Sequence, residues 1–442
     1  MPQPTSRRLP LPRLSCAVVA LAFLAAAVGT VTPARAADHD HAAHGPLAEW
    51  LEGDYATGDW GGLRTTLEDT GIVFEGSYTT NIMAVRNGNA GSGDGWDYAG
   101  RIDFGVTLDF ERLAGVPGFS IYASGAWSSG QDLSERKVGN LFAVQQVYTG
   151  REIRLSQLYA QQTLFDDVLT VKVGRLTTEA DFLASDIYTN YVNGGINGVP
   201  SNVPGSNFGF TTAPFAQWGA VVAIEPVEHL RLAFGVYNAD EKTIDDKRNG
   251  TRFTLDPEDG VFAIGEASYA WHQPEEDEKG EVKPAEGLPG MAKVGIFGES
   301  GDREDFKDAR QKDGNPGFYL SIEQMVYREP GTVDEGLTPW AVATFQPRQS
   351  INELPVFFGA GLVYKGLIPG RDDDRAAVGF FFGQLSGDIN PGGSEKVLEI
   401  NYTVQLTPWF YVRPDLQLVF DPAGVSSAST AVVFGGEIGI TF

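Results

Sequence analysis

The stretch AVVFGGEIGITF (431–442) decides the fold. Val432, Phe434, Ile438, Ile440 and Phe442 alternate with Val433, Gly435, Glu437, Gly439 and Thr441. A period of two marks a β-strand with one apolar face and one small or polar face. A strand ending on an aromatic residue suits a closed outer-membrane barrel, whose last strand pairs with the first. A terminal strand docked in a soluble sandwich is the alternative.

Working outward, the same alternation predicts sixteen strands: 72–84, 101–112, 119–128, 152–165, 168–177, 215–225, 229–239, 261–271, 290–299, 317–328, 337–346, 355–365, 375–384, 395–407, 409–420 and 430–442. Most are near the ~9–11 residues that a tilted strand needs to cross a bilayer. In the second, Ile102, Phe104, Val106, Leu108 and Phe110 oppose Arg101, Asp103, Gly105, Thr107 and Asp109. Charges on a lipid-facing row are costly, so the charged row belongs to a wet interior. A sandwich would reverse the two faces, and alternation alone does not separate the cases.

Connection lengths do. Bacterial barrels pair short periplasmic turns with long outer loops. Long connections are expected at 85–100, 129–151, 178–214, 240–260, 300–316, 347–354, 385–394 and 421–429. Short ones fall between, as at Asp166–Asp167, Pro226–Val227 and Thr407–Trp409. The acidic connection 272–289 is long on the short side and is read as a solvated insertion; an error in the strand count is the competing reading.

The N-terminal segment reads as an export signal. Arg7, Arg8 and Arg13 precede the apolar run 17–28, and Ala34-Arg35-Ala36 is a small-x-small cleavage site. Cys16, the only cysteine, lies within 1–36, so residues from Ala37 onward offer no disulfide or thiolate metal site. A chain from Ala37 carries 29 basic residues against 58 acidic, which rules against nucleic acid as a partner. That charge suits solvated outer loops, or loops bridged by divalent cations to lipopolysaccharide phosphates. Residues 37–71 form a periplasmic segment: Trp60, Leu63 and Leu67 share a helical face and Gly71 stops the helix. The barrel then occupies 72–442.

Four stretches, GDWGGLRTTLEDTGI (58–72), LDFERLAGVPGFSIYASG (108–125), RLSQLYAQQTLFDDVLTVKVGRL (154–176) and LEINYTVQLTPWFYVRPDLQLVFDPAG (398–424), resemble the carbohydrate-selective porin family, typified by the glucose porin OprB. The resemblance implies an all-β, sixteen-stranded antiparallel transmembrane barrel in the outer membrane, conducting sugars passively. The departures lie in the loops and in 272–289, which leaves the sugar open. A general diffusion porin and a barrel enzyme acting on lipid or glycan are the alternatives. His39, His41 and His44 sit at the start of the exported chain, and His229 and His272 at periplasmic turns. A His-dependent hydrolase at the outer rim is therefore not expected.

A sugar presents hydroxyls on its rim and C–H groups on its faces, so a conducting wall needs charged or amide partners and aromatic rings in several weak sites. Parity places Arg101, Asp103, Asp109, Lys172, Arg231, Glu399, Asn401, Tyr411, Arg413 and Asp415 on interior faces, with Arg154 and Arg175 at strand ends. Structural salt bridges are the plainer role for any one of them. Loop 178–214, with Asp181, Asp186, Tyr188, Asn190, Tyr191 and Asn193, is long enough to fold inward as a constriction. No phosphate loop or dinucleotide fingerprint occurs, and no cofactor is expected. A closed barrel has no free edge, so a monomer suffices, while porins of this size also form homotrimers. If the signal is cut after Ala36, Ala37-Asp38-His39 offers an amine, two amides and an imidazole in one plane, a geometry suited to Cu(II) or Ni(II). A polar start without a role is the alternative.

Overall fold

The computed structural model describes residues 45–442, save 92, 245–246, 277–281 and 309. The signal segment and the Ala37-Asp38-His39 site lie outside the described residues.

The apolar alternation produces a closed antiparallel sheet of sixteen strands. They are β1 (Ile72–Arg86), β2 (Gly95–Asp109), β3 (Phe119–Gly130), β4 (Ile153–Leu164), β5 (Leu169–Leu176), β6 (Gln217–Val227), β7 (Leu230–Asn238) and β8 (Val261–Trp271). Then follow β9 (Gly290–Glu304), β10 (Gln311–Gln324), β11 (Gly336–Phe345), β12 (Val356–Lys365), β13 (Arg375–Gln384), β14 (Ser394–Thr407), β15 (Phe410–Phe420) and β16 (Ala431–Thr441). A two-residue piece, Tyr327–Arg328, continues the line of β10 along β11. The stretch 431–442 closes the barrel: β16 pairs with β15 on one side and β1 on the other, from Ser77 opposite Thr441 to Arg86 opposite Val432. Phe442 extends the seam, its N–H donating to Gly76 O at 2.8 Å. Closure satisfies the backbone groups that an open edge would leave bare in lipid.

Expected strand boundaries move beside two loops. β2 begins at Gly95, and β9 and β10 run on to Glu304 and from Gln311, so the loop expected at 300–316 shrinks to a hairpin tip. Polar residues such as Asp302 and Lys312 extend that ladder beyond the apolar rows, where no lipid penalises them. The acidic connection 272–289 does not disturb the strand order; it contains a small ribbon pairing Glu275–Glu276 with Val282–Lys283.

The short-turn end carries helices α1 (Pro46–Glu52) and α2 (Leu63–Thr70). Gly71, at φ 96°, ends α2 in the left-handed region open to glycine. Trp50 packs against Trp409 at 4.7 Å between rings, and Ala56 N–H donates to Thr441 O at 2.8 Å beside the seam. Arg64 is buried with its guanidinium over the rings of Tyr55 and Trp60.

The outer rows are apolar, with Phe104 46% and Ile296 68% exposed. The interior departs from a purely wet lumen. Phe297, Tyr319, Trp340, Phe357 and Phe381 point inward from β9 to β13 and join a buried apolar cluster with Phe142, Phe182, Tyr188, Tyr191 and Phe210. All five partners belong to the connections 131–152 and 177–216, which fold into the barrel and cover these rings.

Candidate functional site

The connection 177–216 runs along the inner wall from β8 to β15, and each strand supplies it a partner. Leu183 N–H donates to Glu266 on β8 at 2.8 Å. Tyr188 and Ser321 on β10 share a hydroxyl bond at 2.6 Å. Tyr191 accepts from the Trp340 indole at 2.8 Å and donates to Val378 O at 3.1 Å, its ring set edge-on against Trp340 and Phe381. Val192 and Asn193 N–H groups donate to the two oxygens of Glu399 at 2.6 and 3.0 Å. Asn193 reaches Gln417 on β15 at 2.8 Å, and Gly209 N–H returns to Glu299 on β9 at 2.9 Å. The loop is thus a bonded, packed lining on this side of the barrel.

Opposite it lies a strip that no loop covers completely. Arg101 pairs with Asp103 at 2.8 Å and reaches Ala213 O in the loop at 3.4 Å. Lys172 on β5 meets Asp181 at 2.8 Å, and Arg231 on β7 lies 3.5 Å from Asp181 and 3.9 Å from Glu266. Lys172, Asp181, Arg231 and Glu266 border a cavity of about 490 Å³ on the short-turn side of the loop, where Gln161, Glu225, Ser268 and Lys293 also open. Cations (Lys172, Arg231, Lys293) and carboxyl groups (Asp167, Glu179, Asp181, Glu225, Glu266) both line it. Such a mixed-sign wall offers many donors and acceptors, and a hydroxylated neutral solute can exchange partners along it.

The sequence-predicted residues divide between these two regions. Arg101, Asp103, Lys172, Arg231 and Asp181 meet in the open strip. Glu399, Asn401 and Arg413 are buried and hold the loop, and Asp415 is buried beside them. Asn401 donates to Asn190 O and Arg413 to Thr189 O, both at 2.9 Å, while Asp415 accepts from Gln417 at 2.8 Å. Arg154 and Arg175 are also buried and tie down the connection 239–260, through Thr243 O and Arg252 O. Tyr411 donates to Glu437 at 2.9 Å. Asp109 is not a wall residue: it caps a short helix, α3 (Phe110–Ala114), accepting from Glu111 N–H at 2.9 Å. Within the loop, Tyr188, Tyr191 and Asn193 are buried against protein, Asn190 bonds Ile187 O, and Asp186 is exposed.

Glu179, missed by parity because it lies in a loop, is a further acid of the cavity. It accepts from Ala213 N–H. The packing around it pushes its carboxyl up to about 7; the Ala213 N–H and the Arg101 charge oppose the rise, and Asp103 adds to it. Among the described residues, no group of three or more His, Cys, Asp or Glu gathers as a metal site.

Residues 94–442 match the Carbohydrate-selective porin, OprB family. The chain belongs to that family. It is an outer-membrane channel for the diffusion of carbohydrates, and a porin is not a class of enzyme. This OprB-family porin is similar to Porin B of Pseudomonas aeruginosa, 25% identical across 97% of this chain and 98% of that one. The high-pH structure of Pseudomonas putida OprB superposes with a TM-score of 0.80 at 24% identity, covering 89% of this chain and all of that one. Salmonella typhi OmpF has a TM-score of 0.54 at 11% identity, with 85% and 99% covered. The last two likenesses bear on the fold.

Proposed function

We propose that this porin admits glucose-type neutral hexoses to the periplasm through the strip formed by Arg101, Asp103, Lys172, Asp181 and Arg231. The observation that carries this reading is the mixed-sign wall around a cavity of about 490 Å³. That volume lies within the ~300–1,000 Å³ of small-molecule sites. Hydroxyls can replace one arm of each ion pair in turn, and the partial water access of Lys172 and Arg231 keeps every exchange shallow. A deep site would trap the solute and block the channel. Residues 1–36 serve export and are removed after Ala36 in the same reading.

Liposome swelling tests it. Hexoses are expected to enter faster than neutral polyols of equal size and faster than sugar acids. Rates that follow solute size alone would leave a general diffusion porin.

A further inference from the structure

Four residues of the short-turn half of the lumen have no part in holding the loop: Glu75 on β1, Tyr122 on β3, Tyr159 on β4 and Gln161 on β4. Tyr122 and Tyr159 are direct cross-strand partners. Their rings lie 5.2 Å apart, tilted by 41°, so the two make one shallow angled face. Both stay half-buried, unlike Tyr188 and Tyr191, which are fully covered.

The backbone around this face is cleared for it. Gly105 lies beneath the meeting of Glu75 and Tyr122: a Cβ there would stand 2.5 Å from Glu75 Oε1 and 2.8 Å from the Tyr122 hydroxyl. Gly174, opposite Tyr159 on β5, stands at φ 149°, where a Cβ would meet the neighbouring backbone, against Leu158 O and 2.6 Å from Tyr159 Cα. A larger residue at Gly105 would displace the Tyr122 hydroxyl or its partner Glu75. On the far side, the Lys172 ammonium sits 5.6 Å from the Tyr159 ring centre while paired to Asp181. Gln161, opposite Lys172 in the ladder, opens into the adjoining cavity.

We propose that Tyr122 and Tyr159 form a stacking subsite for the C–H face of a pyranose ring, with Glu75, Gln161 and Lys172 as partners for its rim hydroxyls. The subsite takes cyclic sugars and discriminates against open-chain polyols, which offer the same hydroxyls but no flat face. It rests on the carbohydrate reading above and locates where ring shape, as distinct from hydroxyl number, is sensed. Stacking on two half-exposed rings is shallow enough for release toward the short-turn end.

The test is single-channel recording of the full barrel in planar bilayers, with glucose and sorbitol as probes. In the wild type, glucose is expected to raise current noise or block at lower concentration than sorbitol. Tyr159→Ala and Tyr122→Ala are each expected to weaken the glucose effect about threefold to tenfold, the range an aromatic contact supplies. The sorbitol effect should stay unchanged. Tyr159→Phe and Tyr122→Phe keep the ring and should retain most of the glucose response. The folded, faster-migrating form on unheated gels shows that each variant is a barrel. A wild-type response that both alanine variants preserve would overturn the subsite and leave the carbohydrate reading standing. A wild-type current indifferent to every sugar would overturn both.

Discussion

The two sides of this lumen have the same strand chemistry and opposite fates. On β9–β15 the inward row carries rings and buried polar groups, and the connection 177–216 is bonded to it residue by residue. On β2–β7 the inward row carries Arg101, Asp103, Tyr122, Tyr159, Lys172 and Arg231, all partly open: Arg101 pairs with Asp103 and Tyr122 with Tyr159, while Lys172 and Arg231 share Asp181 of the loop. An inward polar side chain is therefore not yet a pore residue. A second chain segment decides whether it faces water. Glu399 on β14 and Asp181 in the loop are both carboxylates with multiple partners, but those of Glu399 are two backbone amides and the Asn401 side-chain amide, whereas those of Asp181 include two cations with access to water.

Breaking the covered side should have the largest effect. Tyr191→Ala empties the space between Trp340 and Phe381, a loss of about 3–5 kcal/mol for a large buried ring. The loop should loosen, with higher single-channel conductance and a lower melting point of the folded barrel. Unchanged conductance would mean the rings do not hold the constriction. Glu399→Ala comes next, leaving the Val192 and Asn193 N–H groups without their acceptor at about 1–3 kcal/mol each. Conductance should rise again, whereas Glu399→Gln, which keeps one acceptor oxygen, should give a smaller change.

On the open side the balance reverses, with function moving more than stability. Asp181→Asn releases both Lys172 and Arg231, and the reversal potential in a salt gradient should shift toward anions. Stability should fall by less than the ~3 kcal/mol typical of breaking a fully buried pair, because both cations keep some water. The smallest effect concerns pH. Glu179 is held protonated up to about 7, above its ordinary value, so it gains its charge as pH rises through about 7. Cation preference should increase across that interval and not across pH 4–5, and Glu179→Gln should flatten the curve. A flat curve in the wild type would show that Glu179 is already charged at pH 5.

Alternation made all sixteen strands legible, because lipid on one face enforces period two over every crossing. Within Phe380-Phe381-Phe382 the same period turns Phe381 inward to meet Tyr191, while Phe380 is exposed on the outer row. Strand ends beyond the bilayer were less legible, as at Asp302–Asp313, since no lipid marks them. The site was half legible. Parity places Arg101, Lys172 and Arg413 alike, but Arg413 finds its partner in Thr189, 224 positions away. Local spacing carries no trace of such a partner. In loop 178–214, Asn193 bonds Gln417 and Phe142 O, and Asn207 bonds Gln346, because amides buried among rings must be satisfied by protein. Glu179 lay in no alternating row and left no signal of its own.

The bonding of the loop also sets an order of events in making the channel. Residues 177–216 emerge in the first half of the chain, but Glu399, Arg413 and Gln417, which hold them, belong to β14 and β15, just before the closing strand. Contacts so distant along the chain form only after the intervening links have been drawn together, at the cost in chain entropy that long loops carry. The aperture is therefore finished late, when the last strands reach the first. A barrel caught before closure would have a wall but no set bore. Solute selection is then a property that the protein acquires at the same moment as its seal against the membrane.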